Sequence, residues 1–343
     1  MPGQIRLPLH QLVLLIRQAL ADAGVRSDIC DIEAQVCAEA DLLGVPSHGV
    51  RMLPGLLRAI REGRVNPDPR FKITRERSAA IVLEGDHGPG RYGSVEAMRH
   101  AVQLAKTAGV GVCLATRLTH WGRAHAYVYR AALQGAIGIC TTNAIPNVVA
   151  WGSSKPLLAN NPLAIGVPRG TGDEPIVLDM AMSQAAVGKI GTFLREGRKA
   201  PPNWGLDFTG QPTEDPAKIL SGGHVLPFGE HKGVGLAIMM ELLTGALANG
   251  LLSFEIARSN AAGQDPDSSK LFLALDVAAF IEPARFAQRV GDFVAWLHES
   301  EPGLEITLPG ERSWRTRQQY LAEGIPIHPD IVRDLRQAGV AIE

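Results

Sequence analysis

Two histidines stand in settings where an imidazole could move a proton. Ser47-His48-Gly49-Val50-Arg51 follows Pro46, and Thr119-His120-Trp121-Gly122 follows a short apolar run. An imidazole titrates near neutral pH, which suits it to give or take a proton during a reaction. Pro46 stops one helix, and Ser47 is placed to cap the next. His48 and Arg51, three residues apart, would then share one helical face. That would set a proton donor beside a cation able to clamp a carboxylate. The same segment also reads as a capped helix with a surface histidine. His120 falls at the carboxyl end of a strand, where α/β enzymes place reactive groups. His125 lies five residues on, but no acid is near and no H-E-x-x-H occurs, so a metal-dependent hydrolase lacks its ligand spacing.

Further along, Asp179 closes the apolar run Val177-Leu178. A carboxylate there needs a partner. A histidine is the natural one, since the pairing would tune its proton affinity. Asn160-Asn161-Pro162-Leu163 is a tight turn entering a strand. Leu226-Pro227-Phe228-Gly229-Glu230-His231-Lys232-Gly233 is a glycine-flanked turn opening a long apolar helix. Lys232 and the first N–H groups of that helix would form an anion site. Leu308-Pro309-Gly310-Glu311-Arg312 is a second entry of this kind. No acid lies between Glu96 and Asp173, while Arg99, Lys106, Arg117, Arg123, Arg130, Lys155 and Arg169 do. Such a stretch either attracts an anionic ligand or scatters its charges over solvated faces.

Gly88-Pro89-Gly90-Arg91-Tyr92-Gly93 satisfies G-x-G-x-x-G between a strand and a helix. A dinucleotide fingerprint would also place an acid about 20 residues on to hold a ribose, and that region has none. Pro89 moreover removes an N–H where a phosphate would need a donor. A glycine-rich turn into a helix is the preferred reading, and a Rossmann site is not expected.

These residues need a scaffold. Leu9, Leu12, Val13, Leu15, Ile16 and Leu20 recur at helical spacing, which predicts a helix over 7–24. A second is expected over 28–43. Strands at 80–83, 110–115 and 137–141 alternate with helices at 95–108 and 124–133, giving an α/β core. Strands follow at 163–167, 176–178 and 271–275, and helices at 232–248, 283–299, 313–323 and 329–338. The 343 residues are 45% hydrophobic and 20% charged, which fits a folded protein with ample core, and the net charge of -1 argues against nucleic acid. No apolar run approaches the roughly 20 residues that span a bilayer, and no secretory signal precedes the first helix. Cys30, Cys37, Cys113 and Cys140 form neither a C-x-x-C pair nor a zinc spacing and read as buried thiols in a reducing compartment. A cytoplasmic location is therefore expected.

Taken in order, Ser47-His48-Gly49, His120-x-Gly122, Asn161-Pro162, Asp179-Met180-Ala181, Pro227 with Lys232-Gly233, and Pro309-Gly310-Glu311 give the chain its likeness to a known family. Over residues 9–339 it resembles the malate/L-lactate dehydrogenases that are unrelated to the Rossmann lactate dehydrogenases. That family includes ureidoglycolate and sulfolactate dehydrogenases and Δ1-piperideine-2-carboxylate reductases. The resemblance implies a mixed α/β, non-Rossmann fold with its own NAD(P)-binding domain and packed N- and C-terminal helices. It implies segments 1–75 and 305–343 on the substrate and dimerisation side, 76–304 as the cofactor and catalytic domain, and a homodimer. By the same likeness His48, His120, Ser47, Asp179 and Arg51 serve the chemistry on a small carboxylate substrate. His120, Gly122, Asn161, Pro162, Asp179, Met180, Ala181, His231, Lys232, Gly233, Pro309, Gly310 and Glu311 match cofactor-contacting positions. NAD or NADP is implied, with NADP slightly favoured; Arg312 and Arg315 read either as holders of its extra phosphate or as solvated surface charges, and no metal is implied. The expected reaction is hydride transfer to or from a 2-oxo or 2-hydroxy acid. The alternatives are a cyclic-imine reductase, suggested by 172–177 and 226–233, and a non-catalytic NAD(P)-binding protein. One departure stands out: relatives carry Arg and Tyr where this chain has Met52 and Leu56, and Arg51 is one residue early.

Overall fold

The computed structural model describes residues 5–261, 267–300, 303–304 and 306–342. Helix Leu9–Asp22 buries Leu12, Ile16, Ala19 and Leu20, the i, i+4, i+7, i+8 row that its sequence spacing demands. Each of its large side chains contributes about 1.5–3 kcal/mol by leaving water. Helix Ser27–Leu42 packs beside it. Strand Ile5–Leu7 pairs antiparallel with Ile325–Ile327, and helix Pro329–Gln337 adds Ile331, Val332 and Leu335 to the same core. The two ends of the chain are thus packed together, as the resemblance implied.

A second core lies around a seven-stranded sheet. Its strands run in the order Lys72–Arg77, Ala80–Gly88, Val110–Leu118, Ser268–Asp276, Ala136–Thr142, Leu163–Val167, Ile176–Met180. Ala80–Gly88 and Val110–Leu118 are parallel, with helix Gly90–Ala108 as the crossover between them. That helix stops at Gly109, which takes the left-handed conformation at φ 80° and returns its N–H to Ala105, a helix end that glycine favours. Tyr127, Phe272, Met98 and Leu118 are fully buried in this core.

The chain divides into two compact units. One comprises Met1–Cys140, Ala164–Asp179 and Phe272–Glu343; the other comprises Thr141–Leu163 and Met180–Leu271. These boundaries of compactness fall elsewhere than the functional segments expected at 75/76 and 304/305. The second unit has a four-stranded sheet in the order Gly205–Leu206, His224–Val225, Val148–Val149, Pro156–Leu158. Trp204, Ile190 and Ile219 form its core with helices Val187–Arg195 and Pro216–Leu220. Helix His231–Glu241 runs into a π turn at Leu242–Ala246, so the single helix expected over 232–248 is broken in its hydrogen-bond pattern. No helix among the described residues is long and apolar enough to cross a membrane.

Two local expectations are corrected. No continuous helix follows Pro46: short 3-10 turns at Pro46–His48 and Val50–Met52 precede helix Leu53–Arg61. The reason is Gly49, at φ -95° and ψ -143°, which lies outside helical space. The helix expected from 95 begins at Gly90, because Pro89 fits the position just before a first turn.

Candidate active site

The first histidine is carried by the turns after helix Ser27–Leu42. Asp41, on the last turn of that helix, is buried and accepts the Val50 N–H at 2.7 Å. A Cβ on Gly49 would fall on the Asp41 carboxylate, so only glycine lets the turn close over it. Burial pushes the Asp41 carboxyl up to about 7, against the pull of the Val50 N–H and of Arg91. Ser47 does not cap a helix. Its Oγ lies 2.9 Å from His48 Nδ1 and fixes that ring. Burial lowers the His48 pKa; the charge of Asp179 opposes this, and Arg123 and Arg91 add to it.

His120 follows strand Val110–Leu118. Its Nδ1 accepts the Gly122 N–H at 3.0 Å, so the neutral ring keeps its proton on Nε2. Gly122 sits at φ 75°, and the next carbonyl back, that of Trp121, accepts from the buried Tyr127 hydroxyl. Trp121 stacks on Tyr127 at 5.3 Å. The His48 and His120 rings face each other with centroids 5.9 Å apart and planes tilted by 30°.

The glycine string at 88–93 is the seat on which both loops rest. A Cβ on Gly90 would strike the backbone of Thr119 and lie 2.6 Å from the His120 carbonyl oxygen, and one on Gly93 would strike Leu118. The Gly90 N–H is taken by Thr119 Oγ1 at 2.9 Å. Protein fills the place a phosphate would take in a dinucleotide fingerprint. Arg91 is buried here: it donates to Glu33 at 3.3 Å and to the His48 carbonyl at 3.2 Å.

Asp179, one residue before the end of its strand, accepts from Arg123 Nε at 2.8 Å and from the His125 N–H at 3.2 Å. Its bonded partner is therefore an arginine, not the expected histidine, and its influence on His48 is through space. Arg123 reaches Ser313 at 3.5 Å, and Val177 donates to the Pro309 carbonyl at 3.1 Å. The turn Pro309-Gly310-Glu311 is closed by Leu308 N–H donating to Glu311 at 3.0 Å. So Ser47, His48, His120, Gly122, Asp179, Pro309, Gly310 and Glu311 all belong to the first unit. Arg51 is exposed on its 3-10 turn and does not share a helix face with His48. His125 is buried against Tyr129 and Trp314.

Asn161, Pro162, Met180, Ala181, His231, Lys232 and Gly233 belong to the other unit. The Asn161 amide is buried and donates to the Ala237 carbonyl at 2.8 Å and to Glu241 at 3.1 Å. Glu241 also receives Asn143, the Ser253 N–H and the Ser253 hydroxyl, which orders the π turn that begins beside it. Lys232 is exposed in the first turn of its helix. Among the described residues no group of three or more His, Cys, Asp or Glu could hold a metal.

The sequence reading missed Arg91, Glu33, Asp41 and Glu241. Glu33, Asp41 and Glu241 are charges placed among apolar helix positions, and that mismatch was the available signal, whereas Arg91 sits in the glycine string and gave none. The acid-free stretch also proves to be no bare field. Arg99, Lys106, Arg117, Arg123, Arg130 and Arg169 pair with Glu96, Asp276, Glu84, Asp179, Glu39 and Asp173.

The family model for malate/L-lactate dehydrogenase matches residues 7–336. The malate dehydrogenase of Pyrococcus horikoshii is 32% identical, covering 97% of this chain and 94% of the relative. Sulfolactate dehydrogenase from Methanocaldococcus jannaschii has a TM-score of 0.89 at 33% identity, covering 98% of each chain. Δ1-piperideine-2-carboxylate reductase from Pseudomonas syringae has a TM-score of 0.87 at 33% identity, covering 97% of this chain and 99% of the other.

Proposed function

The chain belongs to the malate/L-lactate dehydrogenase family, and from that premise we propose that it moves hydride between a nicotinamide cofactor and a small 2-oxo or 2-hydroxy acid, with His48 and His120 as the reacting pair. The observation that carries this reading is the facing of the two rings at 5.9 Å, each with its Nδ1 already engaged. Two imidazoles so held can act together on one substrate oxygen. The nicotinamide supplies or takes the hydride; the proton falls to the chain.

In reduction His48, whose Nδ1–H can be held by Ser47 Oγ, gives the proton on Nε2 to the oxygen forming on C2, and in oxidation it takes that proton back. His120, whose Nδ1 accepts the Gly122 N–H, holds the same oxygen through Nε2–H by a hydrogen bond that strengthens as charge develops. Asp179 restrains Arg123 and moderates the electrostatic environment of His48. Arg51 pairs with the substrate carboxylate, taking the part that Met52 and Leu56 cannot.

The residues present fit a dinucleotide. Exposed Lys232 at the positive end of an 11-residue helix suits a diphosphate. Gly310, at φ 97°, brings the backbone of the Pro309–Glu311 turn close to strand Ile176–Met180. Asn161 shapes its turn from within, since its amide is committed to Ala237 and Glu241. NADP is favoured over NAD by exposed Arg312 beside that turn. A cytoplasmic homodimer completes the reading, with 1–75 and 305–343 on the substrate and dimer side and 76–304 on the cofactor side. The exposed apolar row Leu236, Met239, Leu243 and Leu247 supports a further contact between copies.

The test is oxidation of NADPH and NADH, followed by absorbance, against pyruvate, oxaloacetate, 3-sulfopyruvate, 2-oxoglutarate and Δ1-piperideine-2-carboxylate. Turnover of a straight-chain 2-oxo acid is expected. Turnover of the imine alone would move the chain to the reductases, and tight cofactor binding with no turnover would defeat the reading. On the best substrate His48→Ala is expected to lose about 10²–10⁴ in kcat; near-normal turnover would overturn its role.

A further inference from the structure

Arg91 lies in the glycine string that resembles a phosphate loop, yet the structure gives its guanidinium to the protein. It is buried, and so is Glu33, with side chains 4% and 1% exposed. Nη1 donates to Glu33 and Nη2 to the His48 carbonyl. Glu33 in turn accepts the Tyr92 N–H at 2.8 Å, which locks the acid to the backbone next to Arg91. On the other side, the position a Cβ would take on Gly122 lies 2.8 Å from Arg91 Nε. Gly122 is the residue whose N–H holds His120 Nδ1.

The guanidinium therefore bonds the backbone of the His48 loop and packs beside Gly122 of the His120 loop, where its Nε makes no hydrogen bond. A guanidinium is suited to this because it is rigid, always charged and donates in several directions from one plane. Arg91 has no direct bond to either imidazole. Its effect is to fix where the two loops stand, and with them the separation of the rings.

We propose that Arg91, anchored by Glu33, is the positioning residue that holds the His48 and His120 loops in mutual register. The inference rests on the reading of those histidines as the reacting pair. A reacting geometry that slips by about 1 Å loses on the order of a hundredfold in rate, whereas substrate and cofactor binding depend on other groups.

The test compares wild type with Arg91→Lys, Arg91→Met and the double variant Glu33→Gln/Arg91→Met. The double variant removes the buried charge that Arg91→Met alone would leave unpaired, so it keeps the fold where the single change fails. In the variants lacking the guanidinium kcat is expected to fall at least about tenfold, with KM for the 2-oxo acid and Kd for NADPH changed by no more than about threefold. Arg91→Lys should fall between them and wild type. Nitrogen NMR of labelled histidine reads the geometry directly. His120 should show one tautomer in wild type and a mixture in the double variant. A folded double variant with kcat within about twofold of wild type and unchanged ring signals overturns the inference. A loss confined to KM does so as well. The ring signals report positioning even where His48→Ala and His120→Ala retain turnover, so failure of the catalytic reading is told apart from failure of this one.

Discussion

Asp179 shows how much of a residue's role its neighbours decide. In the sequence it is an acid at the end of an apolar strand, and a histidine was the partner expected for it. In the fold Arg123 takes that place at 2.8 Å, and the carboxylate acts on His48 across space. The sign of its effect follows. Its negative charge favours protonated His48, so Asp179→Asn should lower the His48 pKa further, with the uncompensated Arg123 pushing in the same direction. Titration of the His48 ring by NMR checks this; an upward movement, or none, removes Asp179 from the electrostatics of the site. The histidines themselves were legible because few other residues follow the pattern of turn, His and Gly. Arg91 was not, because a glycine string next to an arginine looks the same whether the guanidinium meets a phosphate or a carbonyl. The paired cations of the acid-free stretch were hidden for a related reason. Glu39, Glu84, Asp179 and Asp276 lie far off along the chain and close in space.

At the level of elements, long periodic segments were readable and short ones were not. Helix Leu9–Asp22 declares itself through a repeated apolar row, while strands Ile5–Leu7 and Ile325–Ile327 have three residues each, too few for a period. The two 3-10 turns that carry Ser47 and His48 depend on Asp41 packing against Gly49, a contact no local pattern encodes. The start of helix Gly90–Ala108 is the element most exposed to substitution. Gly90→Ala would drive a methyl into the carbonyls of Thr119 and His120, which are backbone and cannot swing aside. A loss of about 1–3 kcal/mol is expected from overpacking of this kind, together with reduced turnover, since the displaced segment carries His120. Urea unfolding and kcat measured on the same preparation check both. A stable, fully active Gly90→Ala would show that the segment can move without consequence.

For the molecule as a whole, the buried carboxyl of Asp41 ties stability to pH. Its pKa rises from 3.8 to about 7 on folding, so the folded chain holds a proton that the unfolded chain releases. The stability this proton confers is complete below about 3.9 and is lost as pH climbs through about 7. His48 and His125, both lowered by burial, work in the opposite direction: their contribution is present above about 6.5 and is lost as pH falls. Asp41→Asn removes only the first dependence. The difference in Tm between Asp41→Asn and wild type should therefore grow as pH rises from about 4 to about 7 and then level off. A difference that stays flat across that range would place the Asp41 titration outside the folding equilibrium.

The order of the large sheet also sets a timetable. Ser268–Asp276 lies in its middle, between Val110–Leu118 and Ala136–Thr142, yet it is the last of the seven strands to be synthesised. A growing chain therefore holds two separate ribbons with open inner edges until Ser268–Asp276 has left the ribosome. Unpaired edges are templates for association with other chains, and pairings between distant segments form slowly. During its synthesis this protein must keep those two edges from finding neighbours until the strand that joins them arrives.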